Sequence, residues 1–168
     1  SGITGVTMGL TGEAAVNPEI PAISLPFTMC HELSHRRCIA LERDANFGAY
    51  LACRANDSIQ FQYSGYFMAY RYCYNALVSA GGSVQAQAIS SGETAELTRD
   101  LADYRTFFAQ KQSAKATKVA DKVNDTYIKA SGDSSGVASY GEVCDLLVNL
   151  YLEEEVKPNM VEPEPTFD

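Results

Sequence analysis

The stretch "HELSH", residues 31–35, holds the side chains best suited to chemistry, and both histidines of the chain lie in it. On a helix, residues four positions apart project from one face, so His31 and His35 can share a metal ion. Zinc accepts imidazole nitrogens at about 2.0–2.1 Å. Glu32 can take a proton from a water that zinc activates and pass it to a leaving amine. The HExxH pattern therefore predicts a catalytic zinc site.

The alternative is a helix that carries two histidines without a metal. The flanking residues predict that this helix is partly buried, because four of them are apolar: Phe27, Met29, Leu33 and Ile39. Imidazoles and a carboxylate on a buried helix need polar partners. A zinc ion supplies them, which favours the metal site.

A third protein ligand has to be a carboxylate, because the chain has no third histidine. Two candidates follow the motif, Glu42 and Asp44, and a chain reversal at "RRC" (36–38) would bring either back over the metal. We favour Glu42 for its longer side chain. Asp44 otherwise suits the first turn of a helix, where the dipole stabilises an anion. Asn46, one turn beyond Glu42, could hydrogen-bond a ligand or fix an imidazole tautomer, or simply join two helices.

The surrounding elements are predicted to be mainly helical, with a small β element of one or two short strands in "GITGVTMGLTGEAAVN", residues 2–17. An extended linker is expected over 18–26 and a helix break at "SAGGS" (79–83). A tyrosine stripe in the third helix, residues 63, 66, 70 and 74, is expected to pack in the core. Helices are predicted over about 27–37, 42–55, 58–78, 93–110, 114–130 and 139–155, with a loop at 132–136.

Composition limits the possible partners. The net charge of −8 argues against nucleic acid, which attracts a basic surface. Five cysteines, with no CxxC pair, argue against a disulfide framework and against a four-cysteine zinc site. No run of apolar residues approaches the roughly 20 that a membrane span needs. The chain starts Ser1-Gly2 without an initiator Met, so we expect a soluble part of a longer protein.

HExxH followed by "ERDAN" (42–46) resembles the gluzincin-type zinc metallopeptidases. More closely, almost the whole chain resembles an uncharacterised bacterial family of membrane-anchored proteins, a domain of unknown function inferred to be zinc metallopeptidases. The matching segments are "TGEAAVN" (11–17), "LPFTMCHELSHRR" (25–37), "ERDANFGAYLAC" (42–53) and "VNDTYIKASGDSSGVASYGEVCDLL" (123–147).

The resemblance implies zinc ligation by His31, His35 and Glu42, with Glu32 as the base. It also implies that transmembrane helices precede this region. The family usually has Gly where Cys38 stands, and a non-glycine residue would be strained if that position needs a positive φ. Asp44 replaces the usual Glu, which makes it a poorer ligand. Tyr140, in the matched "GVASYGEV", is the first candidate for an oxyanion donor, although a packing tyrosine is equally in keeping with its place.

The sequence thus predicts one zincin-like helical domain over residues 1–156 and an acidic, proline-rich disordered tail over 157–168. The expected function is Zn²⁺-dependent hydrolysis of a peptide or protein substrate, and the N-terminal strands could pair with an extended peptide. The alternative is a non-catalytic zinc-binding sensory or interaction domain of a membrane-anchored protein.

Overall fold

The computed structural model describes residues 3–113 and 139–156. The prediction of a mainly helical fold with a small N-terminal β element is confirmed. The strands are Gly5–Met8 (β1) and Glu13–Val16 (β2), and a 3-10 helix follows at Ala22–Ser24. The helices are Leu25–Arg36 (α1), Glu42–Arg54 (α2), Ile59–Ser79 (α3), Ser83–Ser90 (α4), Ala95–Ser113 (α5) and Ser139–Val156 (α6).

The two strands form an antiparallel hairpin that lies against α1. Its register pairs Gly5 with Val16 and Met8 with Glu13. Strand residues alternate between two faces, and Thr7 is the buried residue of β1 while its neighbours Val6 and Met8 are exposed. The hairpin therefore turns one polar side chain of β1 towards the helix that carries the HExxH motif.

Helix α1 begins where the chain turns out of the 3-10 helix, with Pro26 in its first turn. Proline is tolerated there because the first amides of a helix have no intrahelical acceptor. The amide of Phe27 instead donates to the Ser64 hydroxyl of α3, over 3.1 Å. This bond ties the start of α1 to the middle of α3. The prediction of an extended linker over 18–26 was wrong for its second half, because the 3-10 helix occupies Ala22–Ser24 and α1 starts at Leu25.

The core lies between α1, α2, α3 and α6, with one residue contributed by α5. Helices α2 and α3 approach closely at Gly65, where a Cβ would lie 2.7 Å from Cβ of Cys53. A side chain at this position would push the helices apart, so the small residue sets their spacing. The most deeply buried side chains of the core are Phe27, Ala49, Tyr50, Cys53, Phe67, Val143 and Leu147.

One expectation about α3 needs correction. Tyr63 and Tyr66 are exposed rather than packed in the core, because the helix turns Ser64, Gly65 and Phe67 inward. The predicted break at 79–83 is confirmed, since α3 ends at Ser79 and α4 starts at Ser83, but the short helix α4 itself was not predicted. The remaining predicted helices agree with the structure to within a few residues. The predicted helix over 114–130, the loop at 132–136 and the tail at 157–168 lie outside the described residues.

All five cysteines are free thiols, with Cys30 and Cys53 buried and Cys38 exposed. None of the helices within residues 3–113 and 139–156 combines the length and the apolar character that crossing a membrane requires.

Candidate metal centre

The two histidines of the motif meet at the C-terminal end of α1. Their Nε2 atoms lie 3.1 Å apart, and the rings are perpendicular with centroids 4.6 Å apart. This is the arrangement expected for residues four apart on a helix. Both side chains are largely covered, with 15% of His31 and 17% of His35 exposed. The two imidazoles thus present adjacent nitrogens to one point.

Glu42, the first residue of α2, brings its carboxylate to the same point. One oxygen lies 3.3 Å from Nε2 of His31, and the other lies 3.3 Å from Nε2 of His35. Burial raises the pKa of Glu42, but hydrogen bonds from the two imidazoles outweigh it and lower the pKa to about 2. Glu42 is therefore a carboxylate at neutral pH and a ready ligand for a cation.

The turn between α1 and α2 makes this meeting possible. Its amides point back at the end of α1, with the Cys38 N–H donating to the His35 carbonyl over 2.9 Å. Cys38 has a φ of +67°, a left-handed conformation that disfavours residues with a Cβ by roughly 1–2 kcal/mol. The condition under which a non-glycine residue would be strained here is therefore met, and a glycine would occupy the position without that cost.

A main-chain carbonyl in the same turn orients His35. Its Nδ1 lies 2.8 Å from the oxygen of Ile39, so the Nδ1–H can donate and the Nε2 lone pair is left for a metal. A hydrogen bond with Glu42 raises the pKa of His35 against the effect of burial, and the Ile39 bond and the charges of Glu42 and Glu32 add to the rise.

The spacing of the donor atoms fits a tetrahedral zinc site. Bonds of about 2.0–2.1 Å at tetrahedral angles put neighbouring ligand atoms about 3.3 Å apart. The three separations here are 3.1, 3.3 and 3.3 Å, and His31, His35 and Glu42 form the group within residues 3–113 and 139–156 that could hold a metal. Three ligands leave a fourth position open, as in catalytic sites.

Glu32 lies next to this group but in different surroundings. It is 5% exposed, and the Thr7 hydroxyl of β1 lies 2.7 Å from its Oε2 and 2.9 Å from its main-chain oxygen. A hydroxyl has one proton to donate, so it bonds one of these oxygens at a time. The hairpin thus gives the buried carboxylate a polar partner, which an ionised group away from water requires.

Gly5 makes room for the same carboxylate. A Cβ at this position would lie 2.7 Å from Cγ and 2.8 Å from Cδ of Glu32, and closer still to Oε1. Such separations are too short for real atoms, so a side chain at position 5 would displace the Glu32 carboxylate. Gly5 and Thr7 together fix where the carboxylate lies.

The other predicted site residues are placed differently. The carboxylate of Asp44 lies 3.1 Å from Nε of Arg43 and outside the His31–His35–Glu42 group. The buried amide oxygen of Asn46 accepts a hydrogen bond from Tyr72 of α3 over 3.1 Å. The carbonyl of Ile39, and not Asn46, lies within reach of His35 Nδ1. Tyr140 is the second residue of α6, and its side chain lies outside what the structure describes.

Sequence reasoning missed Thr7, Gly5 and the Ile39 carbonyl. Thr7 precedes Glu32 by 25 residues, and no local pattern links them. A carbonyl oxygen is present at every residue, so its use cannot be read from the residue type. The glycines and threonines of "GITGVTMG" (2–9) predicted a short strand ahead of the HExxH motif. They did not predict that this strand contacts Glu32.

No curated protein and no solved structure matches the chain. The family described as "Protein of unknown function (DUF3810)" matches residues 1–148, which include both strands and every residue of the candidate metal centre. That description assigns no activity. Since the match extends over well more than half of the 168 residues, the chain belongs to the DUF3810 family.

Proposed function

We propose that this domain is a zinc-dependent metallopeptidase in which His31, His35 and Glu42 hold the metal and Glu32 is the general base. The observation that carries the proposal is the set of three donor separations near 3.3 Å beside a buried carboxylate. A structural zinc site needs no such carboxylate beside its ligands. A catalytic site does, because a base must take the proton of the attacking water.

Zinc, when bound, would lower the pKa of water and polarise a substrate carbonyl. Glu32 accepts the proton of the attacking water on a carboxylate oxygen as the water oxygen bonds to the carbonyl carbon. The proton then moves from Glu32 to the amide nitrogen as the carbon–nitrogen bond breaks. Thr7 holds Oε2 of Glu32 and Gly5 packs over Oε1, which limits the orientations that the carboxylate can take. Such preorganisation lowers the barrier to reaction.

We propose an extended peptide as the substrate class. In the described part of the chain β1 pairs only with β2, so its second edge can accept a further strand. The same strand lies over the proposed base, because its Gly5 and Thr7 contact Glu32. A peptide added to this edge gains main-chain hydrogen bonds. By the resemblance of the motifs, we further propose that an upstream segment anchors the parent protein in a membrane.

The alternative function is a zinc-binding sensory or interaction domain. Its support is that Glu32 is 5% exposed, a burial that a non-catalytic role also permits. In that case the domain binds zinc without cleaving any peptide.

The test combines metal analysis with cleavage of a peptide library by the purified chain and by Glu32→Gln. The proposal expects stoichiometric zinc in both proteins and a loss of cleavage of at least about 100-fold in the variant, as general base catalysis contributes about 10²–10⁴-fold. Glu96→Gln, at an exposed position of α5, is the matched control and should cleave as the parent does. Zinc without any effect of Glu32→Gln would overturn the peptidase in favour of the binding domain, and absence of zinc would overturn both.

A further inference from the structure

A polar cavity lies between α3 and α5. It has a volume of about 170 Å³ and is lined by Tyr70, Arg71, Tyr74, Asn75, Leu101 and Arg105. We call these six residues the arginine cleft. None of them belongs to the candidate metal centre. Its walls offer guanidinium, amide and phenol hydrogen-bond donors, and its buried floor is Leu101, which is 4% exposed.

Arg71 is held in place within the cleft. Its guanidinium lies 3.7 Å from the centroid of the Tyr104 ring, and Nη1 lies 3.5 Å from Sδ of Met68. Stacking of this kind orients the planar fork of an arginine, so less conformational freedom is lost when the fork binds an anion.

The described residues provide no carboxylate for the two arginines of the cleft. Within residues 3–113 and 139–156, neither Arg71 nor Arg105 has a carboxylate oxygen within 4.0 Å. The ion pairs of these residues use other cations. The cations that are so paired are Arg43, Arg54, Arg99 and Lys111.

Two acids of this region, Glu93 and Asp100, hydrogen-bond tyrosine hydroxyls and not the two arginines of the cleft. Glu93 accepts a hydrogen bond from the Tyr70 hydroxyl and lies 3.4 Å from the Thr98 hydroxyl. Asp100 accepts one from Tyr63 over 2.8 Å and lies 3.8 Å from Arg99. Among the described residues, Arg71 and Arg105 therefore share one cavity without a salt bridge, in a chain whose net charge is −8.

From this combination we infer that the arginine cleft binds a phosphate group, either as the free ion or as the end of a small phosphomonoester. The two guanidinium groups match the oxygens of such an anion in charge and geometry. Asn75 and Tyr74 add neutral donors. The cleft is smaller than the roughly 300–1,000 Å³ of pockets for drug-sized ligands, which restricts it to a small ligand or to one end of a larger one.

The test is a titration of the full chain with inorganic phosphate and with phenyl phosphate, followed by heteronuclear NMR at fixed ionic strength. The expected result is saturable shifts at α3 and α5 residues around the cleft with both ligands, or with phosphate alone if the site takes only the free ion. Arg105→Gln, a change at an exposed position, should weaken binding about tenfold, as expected for one lost charge-assisted hydrogen bond. Arg71→Gln should do the same.

Two controls make the outcome decisive. Arg99→Gln alters the same helix outside the cleft and should leave the affinity unchanged. His35→Gln alters the candidate metal centre and should also leave the affinity for phosphate unchanged. If phosphate bound through a metal at that centre, this variant would lose the binding. Three outcomes would each overturn the inference. They are equal weakening in Arg99→Gln and Arg105→Gln, loss of binding in His35→Gln, and the absence of any saturable shift around the cleft. The result is independent of whether the chain cleaves peptides.

Discussion

His31 and Glu32 are neighbours on α1, yet the structure places them in opposite surroundings. His31 turns towards His35 and Glu42, in a group whose members retain 15–32% of their side-chain exposure. Glu32 turns under the hairpin, is 5% exposed and contacts Thr7 and Gly5. The first side of the helix is open and offers ligand atoms, whereas the second is closed and fixes one carboxylate.

The difference shows how two parts of one site are built by different means. The ligand side is assembled locally, from one helix, a turn and the start of the next helix within residues 31–42. The base side depends on a strand that ends more than 20 residues earlier in the chain. Variants on the ligand side should therefore change metal affinity, and variants on the hairpin side should change the reaction while the metal stays bound.

Removing the third ligand should give the largest effect. Glu42→Ala takes away the carboxylate that lies 3.3 Å from both imidazoles, and zinc affinity should fall by more than the roughly 10–100-fold typical of outer hydrogen-bond partners. Competition with a chromophoric chelator measures it. Asp44→Ala is the matched control and should bind zinc as the parent does. If Asp44→Ala loses zinc and Glu42→Ala keeps it, the ligand assignment is reversed.

Filling the space over Glu32 should come next. Gly5→Ala introduces a Cβ that would lie 2.7 Å from Cγ of Glu32, so the carboxylate must move. A displacement of about 1 Å can cost about 100-fold in rate, and kcat/KM for a peptide should drop on that scale with zinc retained. Gly9→Ala has nothing within 4 Å of its new Cβ and should be active. Full activity of Gly5→Ala would show that the hairpin does not position the base.

Loss of the Thr7 hydroxyl should have a smaller effect on the same side. Thr7→Val keeps the shape but removes the donor that lies 2.7 Å from Oε2 of Glu32, and kcat should fall about tenfold, the value of a lost hydrogen bond to a charged group. Thr7→Ser should restore most of the rate because it restores the donor. Thr11→Val, on the exposed hairpin turn, serves as control. Steady-state kinetics on proteins of equal zinc content measure kcat. Equal rates in Thr7→Val and Thr7→Ser would refute this role of the Thr7 hydroxyl.

Relief of the strained turn should give the smallest effect. Cys38 holds a φ of +67°, so Cys38→Gly should stabilise the fold by at most about 1 kcal/mol, part of the gain being offset by the greater freedom of glycine in the unfolded chain. Urea unfolding measures this change. Zinc affinity should stay constant, because Cys38 is outside the ligand group. A lower zinc affinity in this variant would mean that the thiol takes part in the site.

How much of this could be predicted from the sequence follows the same division. Five of the six described helices, all except α4, and the three ligand candidates were accessible because periodicity and spacing are local signals. The positive φ of Cys38 entered only as a condition attached to the family resemblance. The inward face of α3 was assigned wrongly. Tyrosine spacing indicated one face, but the close approach of Ser64 and Gly65 to α1 and α2 selected another. Thr7 and Gly5 could not be found, since their contact with Glu32 is a tertiary one.

The central claim is that His31, His35 and Glu42 hold a zinc ion with one position left open. X-ray absorption spectroscopy at the zinc edge of the purified chain tests it most directly. The account predicts one zinc per chain, with two imidazoles and oxygen ligands at about 2.0–2.2 Å. A zinc-free protein, or a spectrum with sulfur at about 2.3 Å that indicates a cysteine ligand, would contradict it.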